Sequence, residues 1–208
     1  MKQLIVIALC LILANPASAQ EARSWKRMES NLQLGAGLFG ETGRQARDVF
    51  PGLALRLSYG LDFRLDEKWS VMPGAGVFAR QGEIHHLGWV GGDPEAMTMA
   101  DVFCQLRYHF EAQGDRIVLG LGPELSYMIA PDRYYIDADP MDPRGGKEKF
   151  EKWDIGLQPS LIFQTGKRFQ WGFEANVGVR NMLRQYPEYN VTGRVHLHNL
   201  LFICGWRF

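Results

Sequence analysis

Charged side chains recur along this chain at alternate positions of otherwise apolar stretches. Arg56, Asp62 and Arg64 fall in one such stretch and Arg80 in the next; Asp101 with Arg107, Glu124, Asp154, Glu174 with Arg180, and Arg207 follow in later ones. If each stretch is a strand, a period of two turns these groups to a common face. Enclosed together, guanidinium and carboxylate groups have two uses. They can neutralise one another as a salt-bridged plug, or they can hold water and form a path for an ion or small solute. Isolated burial of any one of them is costly.

Other residues could carry chemistry, and their spacing argues against it. His109 shares a face with Glu124 and Ser126 of the following stretch. However, His109 lies at one end of its stretch and Ser126 at the opposite end of the next, and at about 3.4 Å per residue that separation defeats a catalytic triad. His196 and His198 share one face, and His85 adjoins His86, without a four-ligand zinc spacing beside either pair. Asp132, Asp137, Asp139 and Asp142 crowd the segment 130–151 without EF-hand spacing, which suits a solvated loop. Cys104 and Cys204 fall on the apolar face of their stretches, too far apart in a ring of strands to form a disulfide. No catalytic residue, cofactor or metal is expected. Trp89, Tyr134 and Tyr135, in long connections, are where recognition would be sought first.

The stretches themselves are strands of unusual length. Leu53, Leu55, Leu57, Tyr59, Leu61, Phe63 and Leu65 alternate with Ala54, Arg56, Ser58, Gly60, Asp62 and Arg64 over thirteen residues. An ordinary half-buried strand runs about 5–6 residues. A strand this long with one wholly apolar face suits a lipid-facing wall. Similar alternation places eight strands near 31–39, 53–65, 69–80, 98–110, 116–129, 152–164, 169–182 and 195–208. An even number suits a single-chain bacterial barrel, whose narrow eight-stranded form has an interior just wide enough for side chains. That width favours the plug over the path.

The connections alternate in length. Those at 66–68, 111–115 and 165–168 are short, and those at 40–50, 82–97, 130–151 and 183–194 are long. An outer-membrane barrel keeps its short turns in the periplasm and its long loops outside. Phe63, Trp69, Phe110, Phe163, Trp171 and Trp206 all lie beside short turns or the C-terminus, as a girdle at the membrane–water boundary requires. Pro73, Pro123 and Pro159 run against this reading, because a residue without N–H breaks a ladder.

The ends agree with export. Lys2, the apolar run Leu4 to Ala14 and the small residues Ala17-Ser18-Ala19 predict a signal peptide over 1–19, followed by a periplasmic lead-in over 20–30 and the barrel over 31–208. The precursor carries 23 basic and 23 acidic residues, and loss of Lys2 leaves 22 against 23. That balance gives no reason to expect a nucleic-acid partner.

The segments DEKWSVMPGAGVFARQG, VLGLGPELSY and FEKWDIGLQPSLIFQTGKRFQWGFEANVGVRN, together with the aromatic C-terminus, resemble the PorT-like family of small outer-membrane β-barrel proteins of Bacteroidetes. The resemblance implies an eight-stranded barrel in the outer membrane, in most members without an assigned activity. Gly205, Trp206 and Phe208 look like the terminal signal that outer-membrane assembly machinery reads. The expected fold is therefore all-β, an eight-stranded antiparallel transmembrane barrel of the OmpA/OmpX type, monomeric and surrounded by outer-membrane lipid. A structural or surface-interaction role without catalysis is the leading expectation. A narrow channel, a secretion accessory with its own partner, and a lipid-modifying enzyme are the alternatives.

Overall fold

The computed structural model describes residues 28–42, 52–82, 95–112, 115–130, 151–182 and 194–208. The leader over 1–19, the lead-in up to residue 27, His85, His86, Trp89, Tyr134, Tyr135 and the acidic connection 131–150 lie outside the described residues. Eight strands follow one another: β1 (Met28–Thr42), β2 (Gly52–Arg64), β3 (Trp69–Gly82), β4 (Glu95–Ala112), β5 (Asp115–Ala130), β6 (Trp153–Thr165), β7 (Phe169–Gly178) and β8 (His196–Arg207). Each pairs antiparallel with its successor, and β8 pairs with β1, so the sheet closes into a barrel in chain order. The first strand opens at Met28, which brings Glu29 and Ser30 from the expected lead-in into the pairing with β2.

The barrel is inverted relative to a soluble protein. In β2 Leu57 is 55 % exposed, while its neighbour Arg56 is 2 % exposed. The same alternation runs through β6, β7 and β8. A closed wall satisfies its own backbone, and an apolar outer surface is compatible only with a lipid surround, so this architecture spans a membrane. Outward aromatics gather at the short-turn end, and a further pair, Tyr127 and Trp153 with centroids 4.7 Å apart, lies at the long-connection end. Trp69, Tyr108 and Phe110 stack edge-on in sequence, with centroids 4.7 and 4.6 Å apart. Phe163 stacks on Trp171 at 4.6 Å, and Phe169 meets Trp206 at 6.1 Å. Phe63 and Phe208 also face outward.

The three prolines are accommodated by breaking the ladder on one side only. Pro73 pairs with Cys104 of β4, while the β2–β3 pairing skips its position. Pro123 pairs with Leu157 of β6, and the β4–β5 pairing skips it. Pro159 pairs with Leu121 of β5, and the β6–β7 pairing skips it. In an antiparallel sheet a residue directs both its backbone groups to one neighbour, so the missing N–H costs only that pairing.

Short turns fix the register. Asp66 Oδ1 accepts the backbone N–H groups of Lys68 and Trp69 at 2.7 Å each, which holds its carboxyl below the usual carboxylate range. Gly166 supplies the positive φ of 61° that the β6–β7 turn needs. Gly74 has a different purpose: a Cβ there would run into the Phe103 ring, which packs inside the barrel.

The interior differs from the strongly polar face expected from sequence. Phe39, Phe78, Met97, Met99, Met128, Met182 and Leu197 are all buried toward the long-connection end, and they form one apolar cluster with deeper residues. Met72, Val118, Ile162 and Ile203 add apolar surface lower down. Single apolar residues on an otherwise polar face look like noise in a sequence, but eight strands bring them together.

Candidate functional site

Beneath the apolar cluster, Arg56 reaches across the lumen from β2. Its two terminal nitrogens pair with Asp101 of β4 and Glu174 of β7, and Glu124 Oε2 of β5 lies 4.0 Å away. All four side chains are buried. The guanidinium plane also lies 4.6 Å from the Phe78 ring and 4.9 Å from the Phe103 ring. Its charge thus lies among carboxylates and over two aromatic rings. Ser126 Oγ donates to Glu124 Oε1 at 2.8 Å, so the serine considered for catalysis buttresses the plug instead.

Arg80 belongs to the layer above. It lies over Phe39 and Phe78 at 5.3 and 5.1 Å and donates to Met99 Sδ at 3.1 Å. Below Arg56 the lumen turns to amides. Gln105 receives Ser160 Oγ at 3.4 Å and donates to Gln158 at 3.0 Å. Gln164 and Gln170 face each other across β6 and β7, with their amide atoms buried and unpaired among the described residues. Buried amides of this kind ordinarily bind ordered water.

Nearer the short turns, Arg107 donates to Asp62 at 2.8 Å, both fully buried. Arg64 and Arg207 follow at the mouth. Arg207 meets Glu29 at 3.4 Å and donates to the Gly166 carbonyl at 3.0 Å. Arg64 is half-buried and faces inward at the end of β2. One expected member of the network is elsewhere. Strand β7 ends at Gly178, and the N–H groups of Val179 and Arg180 both turn to the Ile155 carbonyl. This break in alternation leaves Arg180 at the rim, where it meets Glu151 at 3.6 Å with both side chains well exposed.

The structure brings His109 to a serine that sequence reasoning missed. Ser70 Oγ and His109 Nε2 are 2.7 Å apart, on neighbouring strands β3 and β4. A signal was available in the shared inward parity of Ser70, Arg107 and His109, but only the register across a long connection aligns them. The pair lacks the parts of a nucleophilic site. Ser70 is fully buried, and His109 Nδ1 meets no acid among the described residues. His198, in turn, is engaged by Thr42 Oγ1 at 2.6 Å. Cys104 and Cys204 are both free.

The terminal strand completes the wall. Phe208 and Ser30 exchange backbone hydrogen bonds at 3.1 and 2.9 Å, so the last residue is paired with the first strand. Gly205 lies inward against Leu32 and Gln33, while Trp206 and Phe208 point out.

No protein-family model matches this sequence, and no curated protein matches it. Solved structures do match in fold. Ail, the attachment invasion locus protein of Yersinia pestis, is 12 % identical, with a TM-score of 0.51 over 86 % of this chain and 98 % of that one. Neisserial surface protein A is 11 % identical, with a TM-score of 0.53 over 86 % of this chain and 97 % of that one. At such identity the likeness is one of architecture: this chain is a closed, eight-stranded antiparallel membrane barrel.

Proposed function

We propose that the chain is an integral outer-membrane protein whose barrel is closed to ion flow and does no catalysis. In this reading it is a rigid monomeric support for its four long connections, with a structural or surface-interaction role. The carrying observation is Arg56. Its guanidinium spans the lumen to carboxylates on three other strands, under a cap of buried aromatic and methionine side chains. A lumen of eight strands leaves little room beyond its side chains, and a buried ion pair of this kind would have to break for a solute to pass.

Further support comes from placement. The short turns and both described ends of the chain share one end of the barrel, which supports a periplasmic position for that end. Outer-membrane lipid is then the partner of the outer wall, and the paired terminal strand with Gly205, Trp206 and Phe208 offers a substrate to assembly machinery. The sequence resemblance to PorT-like barrels agrees with this location.

Reconstitution in planar bilayers tests the closed lumen. The expected result is a membrane that stays electrically silent with folded protein present. Reproducible single-channel steps would favour the channel reading, and recovery of the protein in a soluble cell fraction would end the outer-membrane one.

A further inference from the structure

The short-turn mouth gathers hydrogen-bond donors that the plug does not use. A cavity of about 900 Å³ opens there, with Arg64, His109, Glu111 and Arg116 among its walls. That volume lies within the range of small-ligand sites. His109 is 4 % exposed, and its Nε2 is engaged by Ser70. With the serine hydroxyl donating, the proton of the neutral ring sits on Nδ1, which is buried and meets no acceptor among the described residues.

Arg107 is fully buried and gives one nitrogen to Asp62, while its Nε and Nη2 have no acceptor among the described residues. Arg64 Nη2 is likewise buried and unpartnered there. Arg64, Arg107 and Arg116 all lie within electrostatic reach of His109, with Asp62 as the opposing charge. The other carboxylates of the mouth are engaged or turned to solvent. Glu29 holds Arg207 and lies within electrostatic reach of Arg64; Asp66 holds two backbone N–H groups, Glu67 is exposed, and Glu111 is 85 % exposed at 3.9 Å from Arg116.

Buried donors without acceptors are costly, and clustered guanidinium groups repel one another. One oxyanion would relieve both conditions, because the planar fork of arginine matches carboxylate and phosphate oxygens two at a time. We propose that this mouth is a binding site for an oxyanion, the phosphate or carboxylate group of a small ligand. Arg64 supplies the fork, His109 Nδ1–H forms the floor, and Arg116 closes the open side; Arg107, fully buried, adds positive charge near His109 without lining the cavity. That the ligand arrives from the periplasm rests on the orientation proposed above; the binding chemistry does not.

The test is a titration of the folded protein in detergent micelles, with inorganic phosphate in one arm and acetate in the other, in chloride buffer. Arginine Nε–H signals are followed by NMR. Saturable shifts are expected in at least one arm, and the arm with the lower Kd identifies the group. Arg116→Gln alters a partly exposed side chain at the rim and should leave folding intact. It is expected to raise Kd about tenfold, as loss of one charge-assisted contact does. Arg64→Gln should do the same or more, and Arg64→Lys should not restore acetate binding, because a point charge lacks the fork. Arg180→Gln, at the opposite end, should leave Kd unchanged. The proposal is overturned if neither arm saturates, if Arg64→Gln and Arg116→Gln leave Kd unaltered, or if Arg180→Gln weakens binding equally. Micelles expose both ends of the barrel, so these outcomes are independent of orientation and conductance.

Discussion

Arg56 is the residue on which the interior depends. Three carboxylates, from β4, β5 and β7, converge on a side chain from β2, and none of the four groups reaches solvent. Removing the guanidinium would leave those carboxylates buried and uncompensated. Arg56→Ala is therefore expected to cost about 3–5 kcal/mol in urea unfolding from lipid vesicles. Arg56→Lys should recover little of it, since an ammonium cannot address two separated carboxylates through a planar fork. Arg180 provides the contrast. Its pair with Glu151 is well exposed, so Arg180→Ala should cost about 0–1 kcal/mol in the same measurement. Both arginines occupy inward parity in the sequence, and what separates them is the end of β7 at Gly178.

At the scale of the element, β2 is governed by its outer face. Leu57 lies near the middle of Gly52–Arg64 and faces lipid, while Leu53 faces lipid one residue from the strand's end. Leu57→Arg should destabilise folding into vesicles by about 2–4 kcal/mol, and Leu53→Arg by about 0–1, because the cost of a charge falls from the midplane to the interface. Equal costs at the two positions would show that β2 does not cross the bilayer as described. The prolines make the complementary point about elements. A proline in a closed sheet has no free edge to occupy, yet Pro73, Pro123 and Pro159 each keep one partner strand and give up pairing with the other. The conflict they pose in the sequence lies in the ladder and disappears once each strand is seen to have two neighbours.

At the scale of the whole molecule, closure is the property to test. A barrel with no free edge and interlocked charges should resist detergent until heated, so unheated and boiled samples should migrate differently on a gel; identical migration would count against a closed wall. Strand number, chain order and the outward direction of Trp69, Phe110 and Trp171 were legible beforehand, because a period of two sorts side chains into faces without knowledge of any partner. The same sorting placed Arg56, Asp101, Glu124 and Glu174 on the inward side. It could not say that they meet, nor that Phe78 and Phe103 lie against Arg56, nor that Ser70 belongs to His109. Alternation along one strand determines which way a side chain points. Only register and closure decide what it finds there, because the partners lie on strands separated by long connections, and the curvature of the wall brings them to one depth.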